Sequence, residues 1–347
     1  MTAAGATSAR RTVFITGVAG FIGAALAGRM LTEGWHVVGM DNLNDYYTPV
    51  LKQARLDNLA QHPQAARFQF HKTDLVDRDA VITLLLETKP DVIVHLAAQA
   101  SVRYGFTHQL PYLEANLMGH FHMLMACKAL ADAGHPLQHF LYASSSSVYG
   151  AKSNTPSAEA LRETDNVNQP LSLYAATKVA NELVTHAWCN QFKLRATGMR
   201  FFTVYGPWGR PDMAPVMFTR ALLSGATIPL FNGGDLWRDF TYIDDIVEAI
   251  IRLVPVTPQG EVPHTIYNLG NQQPVQVGAF VTTLADVLGQ QANIDAREWP
   301  PTEVYKTHAD TTRLHAAVGW APSTPLATGL QRLADWYRTT EHSLFTE

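Results

Sequence analysis

Short apolar runs rich in β-branched residues alternate along the chain with longer segments in which apolar residues recur at helical spacing. The run at 12–16 leads directly into glycines, a helical pattern follows at 21–32, and a second apolar run covers 36–41. This strand–helix–strand unit within ~30 residues is typical of two parallel strands joined by a crossover helix. The same alternation predicts strands at 67–72, 91–95, 139–143 and 196–202, and helices at 79–88, 111–132 and 174–192.

Strands that alternate with helices indicate an α/β fold, a doubly wound parallel sheet with helices on both faces. The pattern loses its regularity after Tyr205, where prolines and paired glycines interrupt it. We therefore predict a main domain at 12–205, rejoined by about 239–268. A smaller α/β substrate-binding lobe is predicted for 206–238 with 270–347. Residues 1–11 are small, polar and basic, and we expect a flexible tail there.

Composition narrows the class of protein further. Hydrophobic residues make up 47% of the 347 residues and charged residues 16%, with a formal net charge of −4 and no run of like charges. These values argue against a nucleic-acid partner or an anionic membrane surface. No apolar run approaches the ~18 residues of a membrane span. Cys127 and Cys189 are too few for a disulfide framework, so we expect a reducing compartment, the cytoplasm.

The first turn contains three glycines, Gly17, Gly20 and Gly23, between a predicted strand and a predicted helix. Glycines allow a tight turn and close approach of backbone N–H groups to a pyrophosphate, which the helix N-terminus also attracts. Asp41 ends the second strand, where a carboxylate accepts hydrogen bonds from ribose hydroxyls and repels a 2′-phosphate. The pattern therefore predicts NAD rather than NADP. The plainer alternatives are ordinary turn glycines and a turn aspartate.

Two more strand ends extend the predicted cofactor site. Asp74 follows the third strand and could face the adenine, whereas Leu96 and Ala97 end the fourth strand in small residues that suit close approach of a cofactor. Each of these could instead be ordinary loop chemistry.

Tyr174 and Lys178 stand four residues apart, so one helix presents both side chains on the same face. An ammonium beside a phenol lowers the pKa of the phenol, and such a tyrosine can act as a base near neutral pH. Four serines, 144–147, follow a buried strand at the edge where parallel sheets bind ligands. The alternatives are a surface lysine beside a half-buried tyrosine, and serines that only cap and turn. The pattern does not choose among the four serines.

These motifs resemble the extended short-chain dehydrogenase/reductases, and further stretches are similar to the UDP-glucuronate 4-epimerases within them. The stretches that carry this resemblance are 41–47, 51–52, 55–56, 96–104, 200–214 and 238–245. The resemblance covers about residues 12–310. Ser101 departs from the glycine usual in the family, and Thr302-Glu303 replaces its Gly-Asp, near a segment that usually helps to hold the nucleotide.

The resemblance implies a Rossmann sheet that binds NAD and no metal. It also implies that Ser145 is the catalytic hydroxyl beside Tyr174 and Lys178. Together with the motifs above, the expected cofactor-binding residues are Gly17, Gly20, Phe21, Ile22, Gly23, Asp41, Asp74, Leu96, Ala97, Asn116, Tyr174 and Lys178. The implied substrate-binding residues are Arg103, Ser145, Thr203, Arg210, Phe231 and Arg238. A homodimer formed through the helices at 111–132 and 174–192 is implied as well.

The implied reaction is the redox-neutral inversion of C4 in a UDP-hexuronic acid, which interconverts UDP-glucuronate and UDP-galacturonate. Tyr174 takes the C4 hydroxyl proton, the C4 hydride passes to a tightly bound NAD, and the 4-keto sugar turns before the hydride returns. Resemblance places Thr203 and Arg210 beside the sugar carboxylate, which a guanidinium binds in bidentate fashion. The alternative for Arg210 is a solvated surface arginine. Arg238 is expected at the diphosphate, or else in an ion pair with Asp239.

The residues beside the serines distinguish this chain from related enzymes with other activities. UDP-glucuronate decarboxylases carry a glutamate where Ser147 stands, and sugar 4,6-dehydratases need an Asp-Glu pair where Ser146 and Ser147 stand. Another UDP-hexose 4-epimerase is a further alternative. A non-catalytic NAD-binding sensor would typically lose the Tyr/Lys pair, which this chain keeps.

Overall fold

The computed structural model describes residues 11–299, 304–340 and 344. The predicted tail at 1–11 lies outside these residues except for Arg11, and the replacement at Thr302-Glu303 lies outside them entirely. No helix in this described part of the chain is long and apolar enough to cross a bilayer.

Strands and helices alternate along the chain. The strands are β1 (Thr12–Thr16), β2 (His36–Asp41), β3 (Phe68–Lys72), β4 (Val92–His95), β5 (His139–Ser145), β6 (Ala196–Phe201), β7 (Thr203–Tyr205), β8 (Thr227–Phe231), β9 (Trp237–Tyr242), β10 (His264–Leu269), β11 (Pro274–Gln276) and β12 (Asn293–Arg297). The helices are α1 (Phe21–Thr32), α2 (Pro49–Ala60), α3 (Arg78–Thr88), α4 (His120–Asp132), α5 (Leu173–Phe192), α6 (Ala214–Ser224), α7 (Ile243–Leu253), α8 (Val277–Leu288), α9 (Thr312–Val318) and α10 (Leu326–Thr339).

The largest sheet has seven parallel strands in the order β10-β6-β5-β4-β1-β2-β3. The neighbouring residues Phe14 and Ile15 of β1 point to opposite faces, and both are fully buried, in separate apolar clusters. Helices therefore cover both faces of the sheet, and the predicted doubly wound α/β fold is confirmed. The strand order reverses between β1 and β4, which is where such sheets bind ligands.

The irregular pattern after Tyr205 conceals regular structure. Strands β11, β9 and β7 form a three-stranded sheet, and β12 pairs with β8. Pro215 lies in the first turn of α6, where its missing N–H costs nothing, and Gly225 at φ +70 ends that helix. Pro215 and Gly225 therefore mark the two ends of α6. The division into two domains with the bounds given above stays a prediction.

The predicted helix at 111–132 is present, but its first part, Tyr112–Gly119, is π-helical and runs directly into α4. An apolar pattern at helical spacing does not distinguish the two helix types. The wide turns carry Asn116, whose side chain binds the backbone of Gln99 in the loop after β4. Local π-helical turns occur often beside functional sites.

Candidate active site

A cleft of about 420 Å³ opens where the carboxyl ends of the central strands meet. Fourteen of the predicted site residues line it: Gly17, Gly20, Phe21, Ile22, Gly23, Asp41, Asp74, Leu96, Ala97, Ser145, Tyr174, Lys178, Thr203 and Arg210. The other predicted residues, Arg103, Asn116, Phe231 and Arg238, are not among its lining. We call the part near Gly17 and Asp41 the cofactor end, and the part near Tyr174 and Arg210 the sugar end.

The glycine turn leaves no room for side chains. A Cβ at Gly17, which has φ +70, would lie 2.9 Å from the backbone nitrogen of Ala97, and one at Gly23 would lie 2.1 Å from the carbonyl oxygen of Gly17. No side chain caps the N-terminus of α1, and its first residues, Phe21, Ile22 and Gly23, line the cleft. Their N–H groups have no partner within the helix, so this turn fits the pyrophosphate of a dinucleotide.

Asp41 and Asp74 stand at the ends of β2 and β3. The Asp41 carboxylate accepts the N–H of Ala19 at 3.1 Å and that of Leu43 at 2.9 Å, one on each oxygen. A carboxylate has about four acceptor positions, so both oxygens of Asp41 keep capacity for a ribose diol. Asp74 accepts the side-chain amide of Asn42 at 2.8 Å and also lines the cleft. This arrangement fits the adenosine part of NAD.

The Thr16 hydroxyl fixes the small residues after β4. It accepts the N–H groups of both Leu96 and Ala97 at 3.1 Å. Asn116 acts one layer further back, since its amide binds the backbone N–H and carbonyl of Gln99 and also the Thr177 hydroxyl. Asn116 thus shapes the loop that lines the cleft, and its direct contact with a cofactor stays a prediction.

Helix α5 presents Tyr174 and Lys178 to the sugar end, after Ser172 caps its N-terminus. The Lys178 ammonium donates to the carbonyl of Ala143 at 2.9 Å and lies 5.9 Å from the centre of the Tyr174 ring. Burial lowers the pKa of Lys178 to about 8, although Glu182 opposes this. Burial also raises the pKa of Tyr174, opposed by the Ser145 hydroxyl and by Arg210. The net direction for Tyr174 is opposite to the sequence-based expectation, because that expectation did not include desolvation.

The serines after β5 have different surroundings. Ser144 donates to the buried carboxylate of Glu182 at 2.5 Å, and Glu182 pairs with Arg200 at 2.7 Å. The Ser145 hydroxyl accepts the N–H of Ser147 and lies beside the Tyr174 phenol. Ser144 is therefore occupied by the buried ion pair, and the geometry favours Ser145 as the hydroxyl that works with Tyr174.

Arg210 lies in the loop after β7 and lines the cleft, as does Thr203 at the start of that strand. The Arg210 side chain is only 18% exposed, and its guanidinium binds Asp212 in bidentate fashion, Nε to Oδ1 at 3.0 Å and Nη2 to Oδ2 at 2.6 Å. The interpretation as a solvated surface arginine is therefore wrong. Contact with a substrate carboxylate stays a prediction.

Three predicted substrate residues lie outside the lining of the cleft. The Arg103 guanidinium stacks on Phe231 at 5.4 Å from the ring centre, and Arg238 donates to the carbonyls of Trp237 and Tyr305. Asp239 does not pair with Arg238, because neighbouring residues of a strand face opposite sides. Its carboxylate instead accepts backbone N–H groups of residues 271, 272 and 309.

Sequence reasoning did not assign roles to several cleft residues in the loop after β2 and at the start of α2. Asn44, Tyr46 and Lys52 all line the cleft, and the Lys52 ammonium donates to both the carbonyl and the side-chain oxygen of Asn44 at 2.6 Å. Burial lowers the pKa of Lys52 to about 8. The signal that could have found Asn44 and Tyr46 is their position directly after the strand that ends at Asp41; Lys52 lies further on, in α2.

Within the described ranges, no three His, Cys, Asp or Glu side chains cluster closely enough to bind a metal ion.

Comparisons with known proteins agree with this geometry. The family model described as the NAD dependent epimerase/dehydratase family matches residues 13–270, and the chain belongs to that family. NAD as the cofactor is thereby confirmed. The chain is 39% identical to a probable UDP-glucuronate 4-epimerase of Rhizobium meliloti over 338 residues, 93% of this chain and 96% of that protein.

A plant protein and a solved structure extend the similarity. UDP-glucuronate 4-epimerase 3 of Arabidopsis thaliana is 39% identical over 339 residues, 94% of this chain and 76% of the plant protein. The crystal structure of UDP-glucuronic acid 4-epimerase from Bacillus cereus, in complex with UDP-glucuronic acid and NAD, superposes with a TM-score of 0.84. It is 30% identical and covers 94% of this chain and 99% of that chain. The resemblance to this group of epimerases is confirmed.

Proposed function

We propose that this protein is an NAD-dependent UDP-glucuronate 4-epimerase that interconverts UDP-glucuronate and UDP-galacturonate through a 4-keto sugar. The observation that carries the proposal is one cleft that brings Ser145, Tyr174 and Lys178 together with a buried arginine, Arg210, opposite a dinucleotide-shaped glycine turn. Relatives of nearly the same length carry the name of this activity.

When bound at the glycine turn, NAD would supply the hydride acceptor and donor for C4 of the sugar. The residues of the chain move the accompanying proton: Tyr174 takes it from the C4 hydroxyl, and the Ser145 hydroxyl beside the phenol favours phenolate. Lys178 adds positive charge behind the phenol, and it would also hold the ribose of a bound cofactor. Because burial raises the pKa of Tyr174, these neighbours are needed for it to act as a base.

A 4-keto hexuronic acid is a β-keto acid, and it loses carbon dioxide readily. Arg210 is proposed to bind the carboxylate and hold it in an orientation that does not favour its departure, with Thr203 alongside. The acidic residues of the described cleft lining are Asp41 and Asp74, both at the cofactor end. No carboxyl group among the described lining residues of the sugar end is therefore available for the C5 and C6 proton transfers of a dehydratase.

Three further properties belong to the proposal. NAD stays tightly bound, because release of the reduced cofactor would strand the keto sugar. The chain forms a homodimer through the helices at 111–132 and 174–192, a proposal supported by the exposed apolar side chains of Leu113, Met118 and Leu183 on them. The protein works in the cytoplasm, a proposal that rests on two buried free thiols, Cys127 and Cys189.

The test is to incubate the purified protein with UDP-glucuronate without added cofactor, then separate UDP-galacturonate, UDP-pentoses and keto sugars. We expect UDP-galacturonate as the main product, and NAD in the supernatant after the protein is denatured. UDP-pentose as the main product would identify a decarboxylase instead. Bound NAD without turnover of any UDP-sugar would indicate a sensor, and bound NADP would contradict the role of Asp41.

A further inference from the structure

The Asp212 carboxylate occupies one edge of the Arg210 guanidinium. Nε and Nη2 of Arg210 donate in parallel to the two carboxylate oxygens. Nη1 donates no hydrogen bond to any residue that the structure describes. A guanidinium has a second edge, formed by Nη1 and the other hydrogen of Nη2, and this edge can bind a second carboxylate in bidentate fashion.

The carboxylate of Asp212 is held in turn by a distant tyrosine. The Tyr46 phenol, in the loop after β2, donates to Oδ2 of Asp212 at 2.8 Å, and the Tyr46 ring lies 5.7 Å from the Arg210 guanidinium. Partial burial opposes ionisation of Asp212, but the neighbouring Arg210 lowers its pKa below the usual value. Burial raises the pKa of Tyr46 to about 12. At neutral pH a neutral phenol, Tyr46, therefore donates to an ionised carboxylate, Asp212, which in turn pairs with the charged guanidinium of Arg210.

The loop after β4 supports Tyr46 from the other side. The Tyr104 ring packs edge-on at 4.8 Å from the Tyr46 ring, and the Ser101 hydroxyl lies beside the Tyr46 phenol. Ser101 has φ +88, a conformation that costs a residue with a Cβ on the order of 1–2 kcal/mol. The Tyr112 phenol holds its carbonyl in place. The contacts around Ser101 maintain this strained conformation next to Tyr46.

We propose that Asp212 and Tyr46 are positioning residues that orient Arg210, so that one edge of its guanidinium is occupied and the other faces the sugar. This inference rests on the proposed function, in which Arg210 binds the sugar carboxylate. A long arginine side chain has about 2 kcal/mol of rotamer entropy, and a partner that fixes it before substrate arrives removes part of that cost from binding. Because Asp212 binds one edge of the guanidinium, only the other edge remains, and it can bind one carboxylate.

A double-mutant cycle tests the inference with Tyr46→Phe, Arg210→Ala and the combined variant. Tyr46→Phe keeps the ring and removes only the hydroxyl, so we expect the KM for UDP-glucuronate to rise roughly 3- to 10-fold, the size of one hydrogen bond. Binding of UDP-glucose, which has no carboxylate, should not change. In the Arg210→Ala background the same substitution should change the KM less than about 2-fold, since its effect passes through Arg210.

The matched control is Tyr104→Phe. Its hydroxyl donates to none of the described residues, and its ring would still pack on Tyr46, so the KM should stay at the wild-type value. Asp212→Asn should raise the KM at least as much as Tyr46→Phe, and Asp212→Glu should recover part of the loss. The release of UDP-pentose should increase with the KM in the same variants, which a loss of general stability would not produce.

The outcomes separate this inference from the proposed function. Wild-type protein that does not epimerise UDP-glucuronate would overturn the proposed function and the inference with it. Suppose that wild type epimerises UDP-glucuronate and that Arg210→Ala weakens binding of UDP-glucuronate but not of UDP-glucose. If Tyr46→Phe then changes the KM equally in wild type and in Arg210→Ala, only the inference fails. In that case Tyr46 would act on the loop after β2 and not through Arg210.

Discussion

The cofactor end of the cleft and its sugar end are held by different kinds of contact. At the cofactor end the site is formed mainly by the backbone. It consists of close-packed glycines, the N–H groups at the start of a helix, and a carboxylate that accepts backbone N–H groups. At the sugar end side chains hold side chains, as Asp212 holds Arg210 and Tyr46 holds Asp212. A backbone site tolerates few substitutions at its glycines, whereas a side-chain site can change its specificity through single residues.

The largest effect is expected at the cofactor end, where a substitution should abolish retention of NAD. Gly23→Ala places a Cβ 2.1 Å from the Gly17 carbonyl oxygen, so the turn must distort, and we expect protein that retains almost no NAD after purification. Gly28→Ala is the matched control, because it lies on the same helix and its nearest contact is an ordinary 3.7 Å from Leu59. That variant should keep NAD and gain about 0.5–1 kcal/mol in the free energy of unfolding. Normal NAD content in Gly23→Ala would show that the turn does not hold the cofactor.

At the sugar end the largest loss should follow from Tyr174→Phe. The substitution removes the proposed base and keeps the ring, so kcat should fall by ~10²–10⁴-fold, the usual contribution of a general base. Cofactor content, measured on denatured protein, should be unchanged because the glycine turn is intact. A variant within a few-fold of wild type would remove Tyr174 from the chemistry.

The buried ammonium of Lys178 predicts a dependence of stability on pH. Its folded pKa of about 8 is below the unfolded value of 10.5, so the charged form is disfavoured in the fold below pH 8 and this penalty disappears between pH 8 and 10.5. Relative to Lys178→Met, wild type should therefore gain up to ~3 kcal/mol in the free energy of unfolding across that window.

Urea unfolding of NAD-depleted wild type and Lys178→Met at pH 7.5 and pH 10 measures the difference. Lys178→Met should also lose turnover at both values of pH. A stability difference that stays constant with pH would mean that Lys178 is not desolvated as the fold indicates.

The smallest of these effects is expected for Arg210. Loss of a charge-assisted pair costs ~1.5–3 kcal/mol, so Arg210→Ala should weaken binding of UDP-glucuronate by roughly ten- to a hundred-fold and release more UDP-pentose. Weak binding of UDP-glucose should change little. Arg210→Lys keeps the charge but loses the planar guanidinium, so its affinity for UDP-glucuronate should lie between those of wild type and Arg210→Ala. Equal losses for the two sugars would assign Arg210 to the nucleotide or to the loop.

The cofactor end was predictable because its information is local. The glycines, the helix after them and Asp41 all lie within one strand–helix–strand unit, and their spacing has a direct steric meaning. The pair of Tyr174 and Lys178 was predictable for the same reason, since a separation of four residues on a helix puts both side chains on one face. The parallel sheet and its two covered faces followed from alternation alone, whereas the order of the strands came only from the structure.

Other features depended on contacts between distant segments. Tyr46 and Asp212 are 166 residues apart, and no pattern along the chain indicates their hydrogen bond. Four adjacent serines look alike in sequence. In the structure the Ser144 hydroxyl donates to the buried carboxylate of Glu182, whereas the Ser145 hydroxyl lies beside the Tyr174 phenol. The raised pKa of Tyr174 likewise reflects burial, which depends on how every neighbouring element packs.

The sequence by itself determined the fold class and the NAD turn, and it predicted the pair of Tyr174 and Lys178, because each depends on residues that one element holds at a set spacing. Only the tertiary structure decided which serine lies beside the Tyr174 phenol, which edge of Arg210 is occupied, and how far the phenol and the Lys178 ammonium are desolvated. Those properties come from distances between elements, which short-range propensity and periodicity do not contain.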